Sequence, residues 1–331
     1  VTSSVRDIQD VFTRVAGDLG RVDDRVMRAG SVPYPLVASL LSDIVAARGK
    51  RLRPLLLILA NRAFCPSSDR VIPAAAGVEL LHIASLIHDD SIDHAALRRG
   101  QPTLNSSLSS GAVILVGDYL FAQSAILAAE TGIPRIVSIF ASTLGDICDG
   151  QLREMFDAHR LEQTREDYTQ RIYGKTASLF AGAAEMGAYL GEADDDGLSR
   201  LRDFGMHMGL AYQIIDDVLD FRASEDMLGK PAGNDLREGV VTLPTMIFAE
   251  SLPSGASDRQ TLLDVIGGQE SDRASIDRLV SRIRASGALD EATTEAERQI
   301  DHAKSEIALL DRGDVAEMLG ELADFVLSRS S

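Results

Sequence analysis

Asp89-Asp90-Ser91-Ile92-Asp93 and Asp216-Asp217-Val218-Leu219-Asp220 repeat one pattern, DDxxD, and each closes an apolar run with helical spacing. On a helix, residues four apart share a face, so Asp89 with Asp93, and Asp216 with Asp220, each present two carboxylates side by side. Like charges placed there, next to Leu86, Ile87, Ile214 and Ile215, cost stability unless a cation lies between them. Oxygen donors without His or Cys select a hard ion. Magnesium takes a few carboxylates, several waters and phosphate oxygens, whereas calcium wants more protein oxygens from one loop. A single box is an ordinary charged helix end. The pair predicts two clusters that converge across one cavity and hold magnesium on a diphosphate.

Four short segments supply the cations that such an anion needs. Gly49-Lys50-Arg51-Leu52-Arg53-Pro54 clusters lysine and arginine just before an apolar helix, whose N-terminal amides and dipole also favour an anion. Arg98-Arg99-Gly100 follows the first box closely and brings two guanidinium forks near the phosphates. Gly174-Lys175-Thr176 opens a helical pattern, with a lysine and a hydroxyl that can donate to phosphate oxygens. Gly229-Lys230 follows the second box in a loop containing Gly, Pro and Asn, a composition suited to a flap. His82, two helical turns before Asp89, and Gln213, just before Asp216, are polar donors that can orient phosphates or ions. Taken singly, each segment is a solvated loop, a cap or a satisfied core side chain; the combination is what points to a site.

These residues need rigid supports, and the chain offers helices almost throughout. Apolar residues recur at three- and four-residue spacing over Val71 to Ile92, Ala112 to Ala129 and Lys175 to Leu190. Strand signals are nearly absent, aromatic content is 5% and there is no Trp. Breaks fall at Ala47 to Gly49, Cys65 to Ser68, Arg99 to Pro102, Thr131 to Pro134, Gly191 to Gly197, Ser224 to Asn234 and Leu252 to Asp258. The acidic run Glu192 to Asp196 fits a solvated loop. With no Pro-, Gly- or Ser-rich linker and no internal repeat, the prediction is a single all-α domain, one large helical bundle over residues 1–331.

Composition narrows the partners. A net charge of −17 disfavours nucleic acid or an anionic membrane held through a general positive field, so an anionic substrate must be gripped locally. Cys65 and Cys148 cannot form a disulfide framework, and Val1 to Asp10 lacks the apolar core of a signal peptide, which predicts a reducing cytoplasm. The longest purely aliphatic run, Leu55 to Ala60, is far short of the roughly 20 residues that span a bilayer, so no transmembrane segment is expected.

With these residues in place, the sequence resembles the trans-isoprenyl diphosphate synthases, in the branch that makes medium and long polyprenyl chains. The likeness runs from about Gly49 to Pro244. His88-Asp89-Asp90-Ser91-Ile92-Asp93 leading to Arg98-Arg99-Gly100-Gln101-Pro102-Thr103, and Tyr212-Gln213-Ile214-Ile215-Asp216-Asp217 leading to Gly229-Lys230, carry it. The resemblance implies the isoprenoid synthase bundle with a central substrate cavity, a homodimer, and head-to-tail addition of isopentenyl diphosphate to an allylic diphosphate of farnesyl or geranylgeranyl type. By position it implies that Asp89, Asp93 and Asp216 ligate magnesium, with Asp90, Asp217 and Asp220 in support; the helical spacing adds Asp220 to the metal set. Lys175 and Lys230 join Asp89, Asp90, Asp93, Asp216 and Asp217 in the catalytic set. Arg98, Lys175, Thr176, Gln213 and Lys230 are implied to hold the allylic diphosphate, and Gly49, Lys50, Arg53, His82 and Arg99 the isopentenyl diphosphate. One departure is plain: many relatives carry a second flap lysine where this chain has Val240.

The implied chemistry needs three Mg²⁺ ions and the cations to neutralise the leaving diphosphate, with no protein nucleophile. A growing chain needs an apolar groove, and the helix leading to Asp89 offers Leu81, Ala84 and Ser85 as its wall. In the family, bulky residues just before the first box stop growth early, so Ala84 and Ser85 predict a product of C25 or longer; the small Ala122, Ala125, Ala128 and Ala129 on the next helix point the same way. A geranylgeranyl or farnesyl diphosphate synthase is the shorter-product alternative. A terpene cyclase would not need Lys50, Arg53 and Arg99, and a non-catalytic partner subunit should have damaged boxes, whereas both here are intact.

Overall fold

The computed structural model describes residues 7–46, 49–65, 68–98, 101–222, 232–270, 272–310 and 313–330. Helical spacing is realised through nearly all of them. In chain order the elements are α1 (Ile8–Ala29), α2 (Pro35–Ala46), α3 (Leu52–Arg62), α4 (Val71–Ile92), β1 (Leu97–Arg98), β2 (Gln101–Pro102), α5 (Ser110–Ala129), α6 (Pro134–Asp157), α7 (Arg165–Ile172), α8 (Ser178–Leu190), α9 (Asp195–Arg222), α10 (Asn234–Arg237), α11 (Leu243–Ser251), α12 (Ser257–Ile266), α13 (Arg273–Ala285), α14 (Ala288–Ile307) and α15 (Gly313–Leu327). Among the described residues the antiparallel β1–β2 pair, in register Leu97 to Pro102 and Arg98 to Gln101, is the only sheet.

The punctuation expected at 131–134, 191–197 and 252–258 separates α5 from α6, α8 from α9 and α11 from α12. Two further breaks, unread in the sequence, turn on left-handed glycines: Gly268 at φ 71° after α12 and Gly287 at φ 83° before α14. The acidic run Glu192 to Asp196 is only partly loop. Asp194 accepts the Gly197 amide at 2.9 Å, and Asp195 and Asp196 form the first turn of α9, where the helix dipole favours negative charge.

The chain packs as two compact units, each assembled from three separate stretches. The first comprises Val1–Gly145, Ser178–Met206 and Ala303–Phe325; the second comprises Asp146–Ala177, His207–His302 and Val326–Ser331. In the first unit α3 and α4 are buried nearly all round, Leu55 to Leu59 without exception. A β-carbon at Gly187 of α8 would lie 2.3 Å from the Leu57 carbonyl oxygen, so α3 and α8 meet backbone to backbone. The second unit builds its core from α7, the end of α9 and the helices from α10 through most of α14, around Tyr168, Ile214, Val218, Phe221 and Ile283.

Two expectations change here. A purely aliphatic run is too strict a test of membrane-crossing potential, because α4 and α5 mix Ala, Gly and Ser with larger apolar residues and both reach the length and apolarity that a crossing would need. In α4, 72% of the most apolar window is buried within the protein; in α5 the figure is 39%. The alanines of α5 account for part of that difference. Ala128 is buried against the core, but Ala122, Ala125 and Ala129 lie on one exposed face with Ile114, Leu115 and Ile126, so three of the four are not packed into the core of this chain.

Candidate active site

The first acidic box occupies the last turn of α4, where the helix dipole makes a carboxylate costly, and the first unit answers with donors from the segment that follows. Asp90 is buried and receives the Arg98 Nε at 2.7 Å, while its carbonyl receives the Asn105 side-chain amide at 2.6 Å. The strands β1 and β2 hold Arg98 in that position. Asp89 is half-buried and Asp93, at the helix C-cap, is exposed. His88, beside the box, packs edge-on to Phe121 at 4.9 Å and lies 3.2 Å from the Ile114 carbonyl. A β-carbon at Gly117 would meet its ring at 2.2 Å, so this glycine lets α4 and α5 approach at the box.

The cation cluster lies at the start of α3 in the same unit. Lys50 Nζ sits 4.4 Å above the Phe325 ring and Arg53 Cζ 4.3 Å above Phe180. Arg51 has no capping side chain to offer the helix, so the first amides of α3 add to the attraction for an anion. Gly49 precedes them, and His82 is half-buried on α4. Of the proposed wall, Leu81 and Ala84 are fully buried and Ser85 is half-buried, its hydroxyl donating to the His82 carbonyl at 2.8 Å.

The second box lies in the last two turns of α9, in the second unit. Here the structure brings several expected residues into one hydrogen-bonded chain. The Thr176 hydroxyl donates to Gln213 Oε1 at 2.7 Å, Gln213 Nε2 donates to Asp217 Oδ1 at 2.8 Å, and the Tyr168 hydroxyl donates to Asp217 Oδ2 at 2.7 Å. Burial pushes the Asp217 carboxyl up to about 7, against the pull of Gln213, Tyr168 and the nearby Arg171. The same burial, with Asp217 beside it, raises the Tyr168 hydroxyl well above its ordinary value. Asp216 instead meets Arg329 from the C-terminal turn at 2.7 Å, and that guanidinium lies 4.1 Å above the Tyr212 ring. Asp220 accepts the amides of Asn234 and Asp235 at 3.2 and 3.3 Å and so fastens the start of α10.

Lys175 and Thr176 do not open a helix. They lie in a π-helical turn, Tyr173–Ala177, inside an unbroken helical run from α7 to α8. The cause is a close crossing: a β-carbon at Gly150 of α6 would fall 2.2 Å from the Lys175 amide, and one at Gly174 would fall 2.8 Å from the Gly150 Cα. Such a bulge re-aims the side chains it carries. Lys175 points its ammonium at Glu154 of α6, with which it forms an ion pair.

Arg99 and Lys230, with Gly100 and Gly229, lie outside the described residues. Val240, at the departure from the family pattern, donates its amide to the Asp235 carbonyl at 2.8 Å. Sequence reasoning passed over Tyr168, Arg171, Glu154 and Arg329. Tyr168 and Arg171 share a face of α7 just before the Gly-Lys-Thr segment, which was the available signal; Arg329, near the chain's last described residue, gave none.

The donor chemistry suits a hard cation. All candidate ligands are carboxylates, and Asp216 already attracts a positive group. Among the described residues no three His, Cys, Asp or Glu side chains gather into a cage, so an ion here would complete its shell with water and phosphate oxygens, as magnesium does.

The chain matches the polyprenyl synthetase family model over residues 34–283. It is 35% identical over 320 residues to heptaprenyl diphosphate synthase component 2 from Geobacillus stearothermophilus, covering 97% of each chain. Among solved structures it superposes on a polyprenyl synthase from Caulobacter crescentus CB15, complexed with calcium and isoprenyl diphosphate, with a TM-score of 0.93, 34% identity and full coverage of both chains. A decaprenyl diphosphate synthase from Rhodobacter capsulatus gives a TM-score of 0.91 at 31% identity, covering 98% of this chain and 99% of that one.

Proposed function

The chain belongs to the polyprenyl synthetase family, and from that premise we propose that it is a magnesium-dependent trans-polyprenyl diphosphate synthase that adds isopentenyl diphosphate head to tail to an allylic starter, giving a product of C25 or longer. It is a prenyltransferase with the all-α isoprenoid synthase fold. One observation carries the reading of the site. In each acidic box a carboxylate already holds a guanidinium, Asp90 with Arg98 and Asp216 with Arg329, so both boxes are built to hold positive charge.

The division of labour follows from the residues. Lys50, Arg53 and the first amides of α3 bind the diphosphate of isopentenyl diphosphate, with His82 and Arg99 completing that grip. Arg98, Lys175, Thr176 and Lys230 hold the allylic diphosphate, and Gln213 is oriented between Thr176 and Asp217. Asp89, Asp93, Asp216 and Asp220 would hold the magnesium ions, three in number, which supply charge neutralisation to the leaving group. The allylic C1–O bond breaks and its electron pair leaves with the diphosphate. The C3=C4 pair of the isopentenyl unit forms the new bond to C1, and a C2 proton passes to the departing diphosphate as the new double bond forms. The apolar faces of α4 keep water from the cation.

Product length is supported by the relatives named as heptaprenyl and decaprenyl synthases and by the small Ala84 and Ser85. A homodimer is part of the same proposal, with a second copy covering the apolar outer face of α5. So is a reducing cytoplasmic setting, which suits Cys65 and Cys148 as thiols outside any disulfide among the described residues.

The test is to incubate the protein with labelled isopentenyl diphosphate, Mg²⁺, and farnesyl or geranylgeranyl diphosphate as starter, with A84F and S85F alongside. Polyprenyl diphosphates of C25 or longer are expected from the wild type, shorter ones from the variants, and none after chelation. Turnover without metal, or a wild-type product ending at C20 or cyclised, defeats the proposal; unchanged products from both variants remove α4 as the wall.

A further inference from the structure

Arg51 is the cation of the Lys50-to-Arg53 cluster that no role has absorbed. Its backbone is left-handed, with φ 50° and ψ 35°, a conformation that a side chain with a β-carbon seldom adopts. It stands immediately before α3, and its carbonyl accepts the first intrahelical bond, from Leu55, at 3.0 Å. Such a residue keeps that conformation only where its surroundings over-determine it.

The side chain supplies the determination. All three guanidinium nitrogens are engaged: Nε donates to Asp23 of α1 at 2.9 Å, Nη1 to Glu79 of α4 at 2.5 Å, and Nη2 to the Val45 carbonyl of α2 at 3.1 Å. The arginine side chain is 9% exposed and that of Glu79 5%. Burial alone would make the guanidinium easier to deprotonate, but Glu79 and then Asp23 outweigh it and raise its pKa. One side chain thus ties the start of α3 to α1, α2 and α4, while its neighbours Lys50 and Arg53 rest on the faces of Phe325 and Phe180.

We propose that Arg51 is a positioning residue: its buried, two-carboxylate anchor holds the left-handed turn that sets Lys50, Arg53 and the first amides of α3 in register to receive the isopentenyl diphosphate. This deepens the proposed reaction and rests on it. A lysine cannot replace the planar fork, since it offers a point charge in place of donors fixed toward three partners. Glycine accepts the left-handed backbone but removes the anchor, so it separates the strain from the clamp.

The experiment measures calorimetric binding of isopentenyl diphosphate without metal, together with the KM for each diphosphate and the melting temperature, for the wild type, R51G, R51K and E79Q. Isopentenyl diphosphate affinity should fall about 10-fold or more in R51G, less in R51K and least in E79Q, which keeps its volume and so guards against a variant that fails to fold. The KM for the allylic diphosphate should stay within about twofold, and kcat should change less than the isopentenyl KM. Equal losses for both diphosphates, or none in any variant, overturn the proposal while leaving the reaction intact. A wild-type protein that binds no isopentenyl diphosphate overturns the reaction itself, and the proposal with it.

Discussion

Replacing Tyr168 with phenylalanine removes one oxygen and leaves the ring in place. Tyr168 and Asp217 are 2% and 3% exposed, so water cannot substitute for the lost donor at Asp217 Oδ2. A hydrogen bond to a charged group contributes about 1.5–3 kcal/mol, against ~1 kcal/mol between neutral partners. The penalty of Y168F should therefore depend on whether Asp217 is ionised. Its pKa is about 7 in the folded protein, above the ordinary carboxylate value of about 4 in the unfolded chain. A raised folded pKa means that stability is fully present below the unfolded value and is lost as pH rises through the folded one. Y168F withdraws a contact that lowers the pKa, so the folded pKa rises by a further unit or so, each unit being about 1.4 kcal/mol. Urea unfolding of metal-free protein at pH 5 and pH 8 reads this directly. The Y168F penalty should be ~1 kcal/mol at pH 5 and greater by roughly another 1 kcal/mol or more at pH 8. An equal penalty at both pH values would refute the ionisation of Asp217 in this range, and a smaller one at pH 8 would reverse the sign of the linkage.

Two further outcomes follow from other contacts. Arg329 occupies Asp216 with side chains 15% and 36% exposed, a pair whose removal shifts binding by about 1 kcal/mol; R329Q should bind Mn²⁺ about fivefold more tightly in substrate-free titrations followed by electron paramagnetic resonance, and unchanged or weaker binding would count against competition at that carboxylate. Leu115, 69% exposed on the apolar face of α5, should be central to a pairing of two copies; L115E buries an unpaired charge there and should weaken the dimer by about 3 kcal/mol or more, whereas a wild-type protein that sediments as a monomer removes the assignment of that face.

The helices were legible because apolar period and Gly or Pro punctuation act locally, as at 131–134 and 191–197. Other features were set by what the chain meets far away in sequence. The π-turn at Lys175 comes from the crossing of Gly150 and Gly174, and a pattern confined to 173–190 carries no trace of it. Helix α5 is apolar nearly all round, so its composition could not say which face turns inward; Ala122, Ala125 and Ala129, read for their small size, lie on the exposed one. The aspartate boxes were readable because paired carboxylates among apolar residues are costly and need a reason. Tyr168 and Arg329, which hold two of those carboxylates, were not, since a side chain that meets a carboxylate from a distant segment has no local signature.

The holders, more than the boxes, decide which carboxylates are ready for an ion. In α9, Asp217 is satisfied at both oxygens by neutral donors fixed in a buried network, and Asp220 by two backbone amides; releasing either would leave donors unpaired. Asp216 is different, because its partner comes from the short Ser328–Ser330 turn, and the Arg329 Nη1 is buried without a partner among the described residues. Asp216 can therefore exchange its cation at the least cost, while Asp217 keeps the helix end in shape around it; Asp220 can join an ion without releasing its two amides, since each carboxylate oxygen accepts more than one bond. In α4 the same division recurs: Asp90 is buried and pinned by Arg98 and Asn105, which leaves the exposed Asp93 free to change partner without disturbing the turn. A helix end that keeps some of its carboxylates bound and one exchangeable can admit a metal without refolding, and the DDxxD spacing supplies both kinds within a single turn.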